Sequence, residues 1–183
     1  VVSSKVFWGG DRPNQTGLSR KHVVEACHAA LGRLGVDYLD LFYCHRPDRD
    51  TPIEETVHAM HDLIAQGKVL YWGTSEWSAL EIKEAWELAD RSGWHRPIVE
   101  QPQYNLFWRR RLEVEYRDLF EQCGLGATIF SPLMCGILTG KYRAGIPSGS
   151  RVTLPGYEWL KEKLRTEFGA ARQKTIDKLA RLA

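Results

Sequence analysis

The chain has 183 residues, of which 43% are hydrophobic and 26% charged, a composition typical of a globular domain. Its 25 basic and 23 acidic residues leave a formal charge of +2, which argues against a nucleic-acid or membrane-surface protein. No apolar run reaches the roughly 18 to 20 residues of a membrane span, and four cysteines without paired spacing favour a reducing, cytoplasmic compartment.

Short apolar runs alternate with amphipathic helical patterns along most of the chain. Uninterrupted runs of this kind are typical of parallel strands covered on both faces. The recurring strand–helix unit indicates either an open doubly wound sheet or a (β/α)8 barrel. The predicted strands are Val1–Phe7, Tyr38–Cys44, Val69–Thr74, Ile98–Tyr104 and Ala127–Ser131, and the predicted helices between them are Ser19–Leu34, Pro52–Gln66, Ala79–Ser92 and Arg109–Cys123.

Local signals mark the ends of the predicted helices. Thr51-Pro52-Ile53-Glu54 and the pair Ser78 and Glu81 both have the spacing of a capping box. A glycine follows each helical pattern, as a left-handed residue should. These glycines are Gly35, Gly67, Gly93 and Gly124.

The chain changes character after the fifth strand. Leu138–Pro155 is rich in Gly, Ser, Thr and Pro, and long ordered loops of this kind are usually functional. Two predicted helices follow, Tyr157–Glu167 and Ala170–Leu182.

A barrel is preferred over an open sheet because the first strand is not followed by a dinucleotide-binding glycine motif. That motif reads G-x-G-x-x-G, and Gly9-Gly10 alone does not make one. We therefore predict the α/β class with a TIM (β/α)8 barrel. Five strands are fewer than eight, so the barrel is incomplete. Residues 1–183 are predicted to be a single domain fragment truncated at both ends, because Val1 opens directly on a strand without a leader or initiator Met.

Two polar residues lie where a parallel barrel gathers its active-site groups, at the carboxyl ends of strands. Lys5 is inside the apolar first strand, and His45 directly follows the second. An ammonium lowers the pKa of a nearby hydroxyl, and an imidazole hydrogen-bonds a carbonyl oxygen, so the pair suits polarising a carbonyl. The competing interpretations are a strand-end lysine that reaches solvent and a packed core histidine.

Metal chemistry is a third interpretation. A metal-dependent hydrolase on a TIM barrel needs two or more His or Asp ligands at strand ends, and only His45 qualifies. His58 and His61 lie three residues apart beside an apolar helical stripe, without a third ligand in the sequence pattern. We therefore predict surface histidines and no metal.

A family resemblance is carried by five strings in unbroken order: YLDLFYCHRPD, TPIEETVHAM, QGKVLYWGTSEW, EQPQYNLF and FSPLMCGILTGKY. With them essentially the whole chain resembles the aldo-keto reductases, and most nearly the branch of the voltage-gated potassium-channel β subunits. The resemblance implies a TIM barrel, of which this chain would hold about strands 3–7 with their helices. It also implies an oxidoreductase that binds NADP(H) and reduces aldehydes or ketones by hydride transfer.

The family uses a tetrad of Asp, Tyr, Lys and His. The resemblance makes Lys5 the tetrad lysine and His45 the tetrad histidine. The Asp and the proton-donating Tyr would precede Val1, so we expect the chain by itself to be inactive and prone to association through bare sheet edges.

The resemblance also implies the contacts of the cofactor. Ser75 and Gln101 would hold the nicotinamide carboxamide, and Phe130 would stack on the ring. The residues lining the path of the pyrophosphate and ribose would be Ser131, Pro132, Leu133, Met134 and Cys135. Lys141 and Arg151 would pair with the cofactor phosphates. Trp8 would form a wall of the substrate pocket.

Departures from the channel-subunit branch separate two functions. That branch carries Asn in place of His45 and Arg in place of Glu76; His45 favours turnover, whereas Glu76 argues against a cofactor contact there. The branch's phosphate-loop Tyr is Gly149 here. The alternative is an NADP(H)-binding regulatory β subunit of a potassium channel with little turnover. Its partner anchors would be Trp94, Trp108 and Trp159.

The partners expected from the sequence are a small carbonyl substrate, with no nucleic acid and no membrane insertion. A homo-oligomer is one possible assembly, and a channel partner is the less favoured alternative. The identity of the carbonyl compound and the choice of NADP over NAD are not readable from these residues.

Overall fold

The computed structural model of the chain describes residues 1–167 and 170–181. The chain divides into two compact units, Val1–Phe130 and Ser131–Ala183. The first unit holds the sheet and its helices, and the second is built from turns and two helices. None of the helices in the described ranges is long and apolar enough to cross a lipid bilayer.

The first unit is built on a parallel sheet whose spatial order follows the chain, which confirms the predicted α/β class. The last two strands are shorter than predicted. Pro102 has no N–H for the ladder, and beyond it only an isolated bridge joins Gln103 to Phe130. The strands are β1 (Ser3–Val6), β2 (Leu39–Cys44), β3 (Val69–Thr74), β4 (Val99–Glu100) and β5 (Gly126–Ala127).

Helices follow the strands in the predicted places. The predicted end of the last helix, Leu182, lies outside the described residues. The α-helices are α1 (Arg20–Leu34), α2 (Ile53–Ala65), α3 (Ala79–Ser92), α4 (Arg117–Cys123), α5 (Glu158–Glu167) and α6 (Ala170–Leu179), and short 3₁₀ segments cover Met134–Thr139 and Arg151–Thr153.

One of the two predicted capping boxes is confirmed. The Ser78 hydroxyl accepts from the Glu81 N–H and the Glu81 carboxylate accepts from the Ser78 N–H, so α3 begins as predicted. The capping box at Thr51 is wrong. The Thr51 hydroxyl instead donates to Asp48 at 2.8 Å, and α2 begins after Pro52 without a side-chain cap.

The glycines predicted to end helices all adopt left-handed backbone angles, with φ between 65° and 69°. Glycine is favoured at such positions because it has no Cβ to clash with the preceding turn. The residues are Gly35, Gly67, Gly93 and Gly124.

The predicted helix Arg109–Cys123 is not one regular helix. Arg111–Glu115 form a π-helical turn, closed by the Tyr116 N–H donating to the Arg111 carbonyl, and α4 begins only at Arg117. Arg111 also pairs with Glu76, 35 residues earlier in the chain. The irregular turn therefore coincides with a long-range ion pair that no local pattern predicts.

Helices α1, α2 and α3 cover one face of the sheet. Val6, Phe42 and Trp72 point to this face and lie in one buried cluster with Met60 and Leu63 of α2. Full burial of a side chain of this size stabilises a protein by about 1.5–3 kcal/mol. This cluster is the main core of the first unit.

The opposite face, away from α1–α3, is called the inner face here. The register places Lys5, Tyr43, Gly73 and Val99 side by side in one row on it. A Cβ on Gly73 would meet both the Val99 backbone and the Tyr43 ring. A side chain at position 73 would therefore clash with Val99 and crowd the Tyr43 ring, which glycine avoids.

We expect Gly73→Ala to destabilise the protein by about 1–3 kcal/mol, because the added methyl group overpacks the inner face. Gly32→Ala is the matched control, since Gly32 lies in α1 with open space around the Cβ position. Alanine there should stabilise the helix by about 0.5–1 kcal/mol. Urea unfolding of both variants checks the pair, and equal midpoints would contradict the close approach.

Candidate functional site

Three predicted site residues directly follow the ends of neighbouring strands. The backbone N–H of His45 donates to Val6 at 2.9 Å, that of Ser75 to Cys44 at 2.9 Å, and that of Gln101 to Thr74 at 2.8 Å. These bonds continue the parallel ladder by one residue. Since side chains alternate along a strand, His45, Ser75 and Gln101 share the inner face at the carboxyl end of the sheet.

Lys5 lies on the same face, one step further from the carboxyl end. Its Nζ is 5.3 Å from the centroid of the Tyr43 ring. Partial burial lowers the pKa of Lys5. The pKa of His45 is also lowered, first by burial and then by the positive charges of Arg46 and Lys5. Burial and these charges therefore favour the neutral form of the His45 imidazole, and Lys5 is close enough for its charge to act on it.

Hydrogen bonds link the residues at the carboxyl end of β3, β4 and β5. The Ser75 hydroxyl donates to the Gln101 carbonyl at 2.9 Å, and the Gln101 side-chain amide donates to the Thr128 hydroxyl at 3.1 Å. The Tyr43 hydroxyl lies 3.3 Å from the same Thr128 oxygen. Ser75 and Gln101 are thus held in a fixed arrangement, which Tyr43 and Thr128 complete; the sequence motifs did not single out these last two.

Glu100 lies between Val99 and Gln101 but faces the helices, where it is fully buried. Its carboxylate accepts from the Thr74 hydroxyl at 2.5 Å and from the Glu76 N–H at 2.6 Å. Burial raises its pKa to about 7, although these two hydrogen bonds oppose the shift. The sequence analysis gave Glu100 no role beyond its place in the string EQPQYNLF; because it precedes the inward-facing Gln101, strand alternation turns its side chain towards the helices.

Glu76 is occupied by structural contacts. It has a left-handed backbone, with φ of 60°. Its carboxylate accepts from the Gln103 N–H at 2.6 Å and pairs with Arg111 at 2.8 Å. The acidic side chain therefore joins the turn after β3 to the segment after β4.

Phe130 and Trp8 differ in how firmly they are held. Phe130 ends the first unit and is half-buried, with its N–H donating to Pro102 at 3.2 Å. Trp8 follows β1 and is 64% exposed, in edge contact with Phe7 at a ring distance of 4.5 Å. The Trp8 indole is therefore largely open to solvent.

The segment from Ser131 to Cys135 opens the second unit as a tight turn. The Met134 N–H donates to the Ser131 carbonyl at 2.9 Å, and the Met134 side chain is buried. Ser131, Met134 and Cys135 all have positive φ, between 48° and 55°. Left-handed residues other than glycine store about 1–3 kcal/mol each and concentrate at functional sites. Pro132 and Leu133 in the same turn are exposed.

The two predicted phosphate-binding cations are exposed and each lies over a tyrosine of the second unit. Lys141 Nζ is 5.0 Å from the Tyr142 ring, and the Arg151 guanidinium is 4.6 Å from the Tyr157 ring. A Cβ on Gly136 would meet the Lys141 chain, so this glycine permits a close approach.

Within residues 1–167 and 170–181 no three His, Cys, Asp or Glu side chains come together in a way that could hold a metal ion. His58 stacks on Trp94 at 4.4 Å, and His61 Nδ1 lies 2.8 Å from His95 Nδ1.

The model of the Aldo/keto reductase family matches residues 1–183. The chain belongs to the aldo/keto reductase family. The fold of this family is a TIM barrel, so the parallel sheet and its helices are the predicted incomplete barrel.

Two plant proteins illustrate the closeness of the match. Each is named as a probable voltage-gated potassium channel subunit beta; the one from Arabidopsis thaliana is 57% identical and the one from Oryza sativa subsp. japonica 56% identical, over 159 residues. The matched region is 86% of this chain and 48% of each relative. The chain thus spans about half the length of these two relatives, and the predicted resemblance to the channel-subunit branch is confirmed.

Lys5→Met should raise the pKa of His45, because the variant removes one of the positive charges that lower it. Histidine titration by NMR measures this, with His45→Asn to assign the resonance. Lys68→Met is the control. Lys68 precedes β3 at the amino end of the strands, opposite to His45, and its carbonyl accepts from the Leu39 N–H. An unchanged His45 titration in Lys5→Met would show that the two groups do not interact.

Proposed function

We propose that the complete protein containing this chain is an NADP(H)-dependent oxidoreductase that reduces aldehydes or ketones by hydride transfer. The observation that carries the proposal is the placement of His45, Ser75 and Gln101 on one face and at one end of the sheet, with Lys5 near enough to lower the pKa of His45. Membership of the aldo/keto reductase family supports the same reaction class. A cytoplasmic location stays a prediction.

The residues at the ends of β3 and β4 fit a nicotinamide carboxamide. A carboxamide both donates and accepts hydrogen bonds. The Ser75 hydroxyl already donates to the Gln101 carbonyl, which leaves its oxygen able to accept, and the Gln101 amide presents both a donor and an acceptor. When bound, the cofactor would supply the hydride, and Phe130 would offer an aromatic face to the nicotinamide ring.

By family resemblance, residues that follow Phe130 in the chain would contact the cofactor phosphates. Strained left-handed residues at Ser131, Met134 and Cys135 support a binding role for that turn, with Pro132 and Leu133 beside them. Lys141 and Arg151 would pair with anionic oxygens of the cofactor.

At the other end of the site, a neutral imidazole and an ammonium would have different roles in the reduction of the carbonyl substrate. His45 would orient the carbonyl through a hydrogen bond, and Lys5 would lower the pKa of a neighbouring tyrosine hydroxyl so that it can give its proton. By family resemblance that tyrosine and its partner aspartate come from outside this chain. Trp8 would stand beside the substrate.

His45→Ala in the complete protein should lower kcat/KM for carbonyl reduction by about 10²–10³-fold while NADPH still binds. The reason is that His45 would contact the substrate and not the carboxamide. NADPH oxidation with simple aldehydes, followed by the loss of NADPH absorbance, measures turnover, and the change in NADPH fluorescence on binding measures affinity. His28→Ala, at an exposed position on α1, is the control. Unchanged turnover in His45→Ala would reject the catalytic role.

A regulatory function is the second candidate, because both plant relatives are named as channel β subunits. Of the three tryptophans considered as anchors, Trp159 is 52% exposed, whereas Trp94 packs on His58. A pull-down with a voltage-gated potassium channel, set beside the turnover assay, separates the candidates. Stable channel capture with no measurable turnover would favour the regulatory role.

A further inference from the structure

We propose that Glu100 is a positioning residue for the cofactor, whose buried carboxylate fixes the turn after β3 so that Ser75 and Gln101 meet the same ligand. This assignment rests on the proposed NADP(H) site and deepens it. Neither the family pattern nor the relatives' names give Glu100 a role.

The geometry places Glu100 behind the site. It is fully buried on the helix-facing side of the sheet, and Gln101, the next residue, is on the inner face. One carboxylate oxygen accepts from the Thr74 hydroxyl and the other from the Glu76 N–H. These two donors come from the residues on either side of Ser75. The carboxylate therefore fixes the residues before and after Ser75 and connects them to β4, the strand that leads into Gln101.

The turn needs such an anchor. Glu76 has a left-handed backbone, which is strained for a residue with a Cβ. Without Glu100 its N–H would lose its hydrogen-bond partner. Its own carboxylate accepts from Gln103 and Arg111 on the other side. Two glutamates thus hold one strained turn.

The electrostatic setting makes the anchor sensitive to pH. Burial raises the pKa of Glu100 to about 7; the nearby Glu76 carboxylate adds to this, and Arg111 opposes it. Cys44 of β2 and Tyr116 are also within reach of its charge. Because the pKa is raised above its ordinary value, folding favours the protonated form, and the buried negative charge appears as the pH rises through about 7. That charge disfavours binding of an anionic cofactor.

The test is NADPH affinity of the complete protein between pH 6 and pH 8, measured by NADPH fluorescence for the wild type, Glu100→Ala and Glu100→Gln. Glu100→Ala should weaken binding by about tenfold or more, since it leaves the Glu76 N–H unpaired. Glu100→Gln should restore the affinity, because its oxygen can accept from Glu76 and its amide can donate to Thr74.

The pH profile separates positioning at the site from a purely structural effect. As the pH rises from 6 to 8, the NADPH affinity of the wild type should fall by about fivefold more than that of Glu100→Gln, which has no titrating carboxyl at this position. Titration of the cofactor phosphate is common to both proteins and cancels in the comparison. Thr56→Val is the control: it removes a buried hydroxyl that donates to Leu18, away from the site, and should leave NADPH affinity unchanged.

The possible failures are distinguishable. Absence of NADPH binding by the wild type would overturn the proposed function and this assignment with it. Wild-type binding with an equal affinity in a folded Glu100→Ala would overturn the positioning role alone. If Glu100→Ala does not fold, Glu100→Gln decides: a profile that parallels the wild type across pH 6 to 8 overturns the assignment.

Discussion

The candidate site depends on the parallel register between β3 and β4, in which Thr74 pairs with Glu100. Side chains alternate along a strand, so this pairing sends Thr74 and Glu100 to the helix-facing side and Ser75 and Gln101 to the inner face. A slip of one residue would exchange the two sets and bury the amide behind the sheet. Gly73 protects the same register, because only glycine leaves room for the Tyr43 ring beside Val99.

Sequence predicted the fold where the deciding interactions are local. The glycines after the helices and the reciprocal bonds of Ser78 and Glu81 depend on neighbours within four residues, and the structure has them as predicted. Prediction was wrong where a residue had a second partner. Thr51 has the spacing of a cap, yet its hydroxyl donates to Asp48. The π-helical turn at Arg111 likewise accompanies an ion pair with Glu76, far away in sequence.

The same distinction applies to the candidate site. Lys5, His45, Ser75 and Gln101 were predicted because strand-end positions and motif strings mark them, and their backbone bonds do place the last three in one row. The partners of these residues were not predicted: Glu100 stands in the string EQPQYNLF without an assigned role, and Thr128 lies in none of the five strings. Their contacts join residues 24 to 85 positions apart, and only the folded sheet brings these together.

Holding a cofactor and reducing a carbonyl make different demands on the two ends of this site. The hydrogen-bonded arrangement of Ser75 and Gln101 serves any protein that binds a nicotinamide, whether or not it turns over. The electrostatics of Lys5 and His45 bear on proton chemistry: burial lowers the pKa of both groups, and the positive charge of Lys5 lowers the pKa of His45 further. Binding a nicotinamide does not require this pair, whereas the proposed reduction would use a hydrogen-bonding group and a cation at the carbonyl oxygen. Variants of Lys5 and His45 therefore separate the proposed catalytic role from the regulatory one.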